Sequence, residues 1–334
     1  MSGIFRIHKY APTAGDVHNN RPLTQLSEAF LQEQSAFASM SAFPTVSVQN
    51  KSDTYYKWKR EDFFRDDAEK RSPGTEPHGG NAELTTGDYN CDIWEWSTPI
   101  PDEVRNNADS AVQLDQMMTE YVMQVLMIRK ERLFATNFLT SGKWTTDISG
   151  ADVSPQTAEV LKWSKASSDP VRDVEAAKKT ILLSTGKKAN KMVIGYEVLE
   201  ALRSNAAIID RLKYGQTPGS IATVELSDLQ QVFGLPIVVS EAVYNTAKKG
   251  QDLSTAFIAG KVALVCHAAS TPGLRIPSAG YNFAWNGMNG MSSMGTLIRT
   301  LRLDSKYTDR VDGFMSFDMK LTAADLGYLF TDIV

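Results

Sequence analysis

The sequence predicts an α+β chain, on three observations. Residues 102–141 carry one long helical pattern, residues from Asp169 to Cys266 alternate helices with short strands, and residues after Thr296 read as strands to the C-terminus. The chain has 334 residues, 42% of them apolar, with 35 Lys+Arg against 39 Asp+Glu and no internal repeat. That length allows roughly two domains, and the composition excludes a disordered chain, a coiled coil, a collagen and a disulfide scaffold. A net charge of −4 has the wrong sign for gripping nucleic acid through the overall field. Cys91 and Cys266 stand far apart with no His/Cys spacing around them, which predicts a reducing compartment and no structural metal. The opening MSGIFRIHKY has no apolar run to serve as a signal peptide. Stretches such as Val262 to Cys266 fall short of the about 20 residues of a membrane span. The expectation is a soluble chain made in the cytoplasm.

Residues 1–45 read as an arm. Pro12, Gly15 and Pro22 interrupt regular structure, and only Leu23 to Met40 shows a helical pattern, with Leu26, Phe30 and Phe37 on one side. Phe5, Tyr10, Phe30, Phe37 and Phe43 argue that the arm lies against a surface instead of fraying. Residues 46–100 read as two strands flanking a long tip. Val46, Val48, Tyr55 and Trp58 lead in, and Tyr89, Ile93, Trp94 and Trp96 lead out. Glu61 to Gly87 carries many charges and then Pro73, Gly74, Pro77, Gly79 and Gly80. A loop beyond about 12–15 residues is unusual in a compact domain, so this segment is expected to protrude.

Residues 102–141 predict a spine helix. Asp102 follows Pro101 as an N-cap, with Glu103 in the first turn, where the helix dipole favours acids. Val104, Ala108, Ala111, Leu114, Met118, Tyr121, Val125 and Ile128 keep the i, i+3/i+4 rhythm of a buried stripe, and Gly142 is placed at the end. Unbroken, this helix would be about 60 Å long. Met117 to Ile128 is apolar nearly all round, which predicts burial on more than one side.

Further on, Asp169-Pro170 starts a helix with Val171, Val174, Ala177 and Ile181 as its stripe and Gly186 as its stop. Lys191 to Ile194 is a strand, followed by a helix through Val198, Leu199 and Leu202. Leu226, Leu229, Val232 and Phe233 make a short helix ended by Gly234. Ile237 to Val239, Phe257 to Ala259 and Val262 to Cys266 are strands. Leu297, Leu301, Leu303, Phe314, Phe317 and Met319 sit on the last strand-like segments.

No motif carries chemistry. Gly186-Lys187-Lys188 lacks the upstream glycine and the Ser/Thr of a P-loop, and Gly287, Gly290 and Gly295 miss the dinucleotide fingerprint. Trp285 to Gly295 reads as a flexible loop. His8, His18, His78 and His267 are scattered without metal-ligand spacing. His267, after a buried strand, reads as a satisfied core residue. Trp58, Trp94 and Trp96 would suit base stacking, but their strand spacing beside Asp92 and Glu95 favours packing. Lys51 to Arg71 mixes seven basic with six acidic residues, as a solvated surface does, or one matched to an identical neighbour.

The order of these parts resembles the tailed-phage major capsid protein family, whose fold is shared with herpesvirus capsid floors and bacterial encapsulin shells. The residues behind it are Ile100-Pro101-Asp102-Glu103-Val104-Arg105, Lys191-Met192-Val193-Ile194-Gly195 leading into Tyr196 to Leu202, Phe233-Gly234-Leu235-Pro236-Ile237-Val238-Val239, and Val311-Asp312-Gly313-Phe314 to Lys320. The resemblance implies an arm at 1–45, an extended loop at 46–100, a peripheral domain at 101–159 and 296–326, and an axial domain at 160–295 and 327–334. It implies a non-enzymatic subunit with no cofactor or metal, forming hexamers and pentamers of an icosahedral shell around packaged double-stranded DNA. The DNA would be touched weakly and non-specifically. Scaffolding would come from a separate protein, with portal and decoration proteins as further partners and no membrane. The lysine-to-asparagine crosslink of some members is not expected, since no Asn lies between Met291 and Val334. The place would be the virion, after synthesis in the bacterial host cytoplasm. Candidate contacts between copies are Trp58, Arg60, Arg65, Asp66, Asp67, Lys70, Arg71, Trp94, Met118 and Val125. The alternatives are an encapsulin-like cargo shell and a soluble α+β enzyme with a dispersed site.

Overall fold

The computed structural model describes residues 31–76, 79–108, 113–215, 224–273 and 276–334. Most of the arm, and His8, His18 and His78, therefore lie outside the described residues.

Two sheets divide the chain. In the first, the long strand β14 (Thr308–Leu321) is the hub. It pairs antiparallel along one edge with β4 (Asp92–Pro101), and along the other with β13 (Thr296–Leu303) and then β12 (Gly280–Trp285). β1 (Thr45–Val48) runs parallel beside β12. The second sheet has the order β6 (Glu159–Leu161), β5 (Thr146–Ala151), β15 (Gly327–Thr331), β11 (Ala263–Cys266), β7 (Lys191–Gly195), β8 (Ile237–Ser240). β11, and β7 after the half-buried Lys191, are buried throughout, as apolar runs without polar alternation require. Around it pack α4 (Pro170–Thr185), α5 (Tyr196–Ser204), α6 (Ala206–Gly215) and α7 (Leu226–Phe233). A small ribbon, β9 (Val243–Asn245) with β10 (Thr255–Phe257), completes this half.

Sheet membership departs from the expected domain boundaries. β5 precedes residue 160 and β6 straddles it, yet both belong with the second sheet, and β12 precedes residue 296 yet belongs with the first. Each is recruited by long-range pairing, β5 by β15 and β12 by β14, which local sequence pattern does not encode. The residue 46–100 segment also splits. Only β2 (Ser52–Trp58) and β3 (Leu84–Asn90) form the hairpin, while Val46 and Val48 on β1 and Ile93, Trp94 and Trp96 on β4 are strands of the first sheet.

The spine is shorter than expected. α2 (Asp102–Asn107) precedes α3 (Leu114–Phe138), 25 residues long and thus about 37 Å at 1.5 Å per residue. Asp102 is the first helical residue instead of the cap, and its carboxylate is held by Arg302 at 2.5–2.6 Å. Val104 and Leu114 of the expected stripe are buried and Met118 and Ile128 pack against the core, but around Tyr121 and Val125 the buried face shifts. Val122, Leu126, Met127, Phe134 and Phe138 face the core, whereas Val125 is half-buried and Tyr121 exposed. Lys130 and Glu131 are buried in the same helix. By contrast, α4 follows its sequence signals. The Asp169 side chain accepts from Arg172 N–H at 3.2 Å, Pro170 opens the helix, and Gly186 closes it with φ of 66°.

Residues 34–36 and 38–40 are short 3₁₀ turns instead of a helix. Phe37, Ala38, Ala42 and Phe43 are buried there, with Phe43 against Phe134 and Phe138 at ring-centroid distances of 6.1 and 4.6 Å. The root of the arm is thus part of the core.

Candidate assembly surface

The hairpin β2–β3 pairs Ser52 with Asn90 through to Trp58 with Leu84. Its base is anchored. Tyr89 stacks on Phe283 at 4.6 Å, Cys91 is buried beside them, and Asn90 N–H donates to Asp318 at 2.8 Å. Burial pushes the Cys91 thiol up to about 11, with Asp318 acting in the same direction. Beyond that base almost every residue is exposed.

The far end is not only charged. Tyr56, Trp58, Leu84 and, from the one-turn helix α1 (Arg60–Phe63) and the residue after it, Phe63 and Phe64 are all exposed. Trp58 meets Phe63 edge-on at 6.1 Å. Scattered single apolar residues on a surface need no explanation, but a contiguous aromatic group does. The end also leans on its own chain: Arg60 pairs with Asp325 at 2.9 Å, and a β-carbon on Gly186 would stand 3.3 Å from the Phe64 ring.

The candidate residues separate into two places. Trp58, Arg60, Arg65, Asp66, Asp67, Lys70 and Arg71 lie at or beyond the far end of the hairpin. Arg65 is 4.0 Å from Asp62, Arg71 donates to the Thr75 carbonyl at 2.7 Å, and Asp66, Asp67 and Lys70 make no ion pair among the described residues. Trp94 and Met118 instead engage their own chain. The Arg129 guanidinium lies 4.3 Å from the Trp94 ring, and Met118 packs on the core with its sulfur 3.9 Å from the Thr98 hydroxyl. Val125 is half-buried on the same helix. Sequence reasoning passed over Phe63 and Phe64, though two adjacent phenylalanines inside a charge run were the available signal.

Chemistry is sparse. Among the described residues no group of three His, Cys, Asp or Glu side chains could hold a metal ion, and no helix is long and apolar enough to cross a membrane. The Ser240 hydroxyl donates to Glu131 at 2.7 Å, but both side chains are fully buried and Glu131 also accepts two backbone N–H groups. A substrate has no path to that pair. His267 Nδ1 is 2.7 Å from the Lys188 carbonyl, a satisfied half-buried contact.

No family model matches the sequence. The major capsid protein of Burkholderia phage BcepMu is 24% identical over 316 residues, covering 93% of this chain and 95% of that protein. The chain is a homologue of phage major capsid proteins. Among solved structures, a phage-related protein from Bordetella bronchiseptica matches with a TM-score of 0.66 at 18% identity, over 90% of this chain and 94% of that one. The capsid of cyanophage P-SCSP1u matches at 0.59 and 14%, over 95% and 93%. An encapsulin from Synechococcus elongatus matches at 0.55 and 10%, over 92% and 93%. These likenesses give the chain the capsid fold expected from the order of its parts.

Proposed function

We propose that this chain is the shell-forming major capsid protein of a tailed phage. The observation that carries the reading is the end-to-end similarity to a phage major capsid protein. The hairpin supports it. An exposed aromatic and charged arm without a core of its own gains order and buried area by lying on a neighbouring copy, as interlocking subunits do. The first sheet with the spine would be the peripheral domain, and the second with its helices the axial domain. Copies would gather as hexamers and pentamers, with portal and decoration proteins among their partners. Packaged DNA would meet the inner wall by weak contacts, consistent with the net charge of −4. The protein would be made in the host cytoplasm and end in the virion.

An encapsulin-like cargo shell uses the same fold, but the curated relative is a phage protein. Size-exclusion chromatography of the purified chain separates shell from enzyme: assemblies in the void volume are expected, and a small oligomer at every concentration would exclude the shell.

A further inference from the structure

Residues 32–48 cross from one half of the molecule to the other. On the second-sheet side, the Gln32 amide makes two hydrogen bonds with the Val243 backbone, at 2.8 and 2.9 Å. The Ala36 carbonyl accepts from Glu241 and Ala242 N–H at 3.0 and 3.2 Å. The segment then meets the spine. Glu131, fully buried, accepts Ala38 N–H at 3.1 Å and Ser39 N–H at 2.8 Å, and Ser240 at the end of β8 donates to the same carboxylate. Lys191 on β7 donates to the Ser41 and Ala42 carbonyls at 2.8 and 3.0 Å. Phe43 inserts against Phe134 and Phe138, and residues 45–48 enter the first sheet as β1.

A buried carboxylate costs several kcal/mol unless its oxygens are satisfied, and here the satisfying donors come from two separate segments, the arm root and β8. Glu131 is therefore bound to the geometry of the joint. We infer that residues 32–48 are a strap across the joint between the two sheets, locked by the Glu131 carboxylate, so that displacing the strap frees the relative orientation of the two halves. The inference is a property of the single chain and stands apart from the shell reading. A partner acts on such a device only by binding one orientation better than another. The strap supplies that link, because displacing it breaks contacts on both halves at once.

The test uses the full chain with single cysteines introduced by Leu183→Cys on α4 and Ile298→Cys on β13, both exposed positions, for spin labels. The native Cys91 and Cys266 are buried and stay unlabelled. Glu131→Gln leaves one acceptor oxygen for three donors, and Lys191→Met removes two hydrogen bonds while keeping the aliphatic stem. In Glu131→Gln the Ala38 and Ser39 amides should exchange about tenfold faster, as for a lost charge-assisted hydrogen bond. The inter-label distance distribution should broaden in both variants, while amides within β7 and β14 keep their protection. A distribution as narrow as the parent's in both variants would overturn the strap. So would protection lost equally across β7 and β14, since Glu131 would then hold the whole fold and not the joint. If Glu131→Gln does not fold, Lys191→Met decides alone by the same width.

Discussion

Gly313 on β14 lies directly under Val122 of the spine helix: a β-carbon there would stand 2.4 Å from Val122 Cγ1 and 3.0 Å from Leu126 Cδ1. The missing side chain lets the helix settle onto the sheet. Gly313→Ala should therefore push the helix off its seat and cost about 1–3 kcal/mol, as overpacking does. Denaturant unfolding measures the loss; an unchanged midpoint would mean that the helix yields freely.

The phase of the spine gives a paired prediction. Val122 is fully buried and Val125 half-buried. Val122→Asp should prevent soluble folding, because an unpaired buried charge costs several kcal/mol against a total stability of about 5–15 kcal/mol. Val125→Asp should purify folded by circular dichroism. The reverse pattern would restore the phase expected from the sequence alone.

That phase shows where the sequence was legible and where it was not. α4 could be read because Asp169, Pro170 and Gly186 punctuate it and its stripe is clean. The spine has no proline or glycine near Asn107 and Leu114, so the end of α2 and the start of α3 were not set apart from one continuous periodic pattern. Apolar residues nearly all round Met117 to Ile128 allow several stripes, and Lys130 and Glu131 disguise the true one as polar. They are tolerated inside because Glu131 meets three donors and Lys130 lies over Phe317, 5.5 Å from the ring centroid. Those donors sit about a hundred residues away on either side, beyond the reach of local pattern. The hairpin was legible as a protrusion, but its aromatic end was hidden among charges.

Lys130 makes stability depend on pH. Burial pulls its amine down to about 8, partly opposed by the attraction of Glu131. A folded value below the unfolded one penalises the charged form, so the penalty is full below pH 8 and fades as pH rises towards 10.5. Lys130→Met should be more stable than the parent at pH 7 by about 1–2 kcal/mol, less than the full desolvation cost because the attraction to Glu131 is lost too. The gap should narrow by pH 10. Thermal unfolding across that range reads the gap; one that widens with pH contradicts the assignment.

Both thiols should be silent in the folded chain. Burial pushes Cys91 up to about 11 and Cys266 up to about 12, and the thiolate is the reactive form. At pH 8 a thiol reagent should modify neither until denaturant is added, and then both. Rapid modification of one thiol in the native protein would show that its segment opens locally.

The hairpin end can be removed without touching the core. Deleting Asp66 to Gly80 behind a short Gly/Ser linker keeps Trp58, Arg60, Phe63 and Phe64, and every described residue lost is exposed. The subunit should fold, with an unchanged circular dichroism spectrum, but closed particles should give way to monomers, capsomers or irregular sheets in sedimentation. Normal particles from the deletion would remove this loop from assembly.

Shell formation itself is tested most directly by an electron micrograph of the purified full-length chain. The account predicts closed shells of uniform diameter, or lattices of hexameric capsomers where closure needs a partner. A homogeneous field of small oligomers, unchanged as the protein is concentrated, would contradict it.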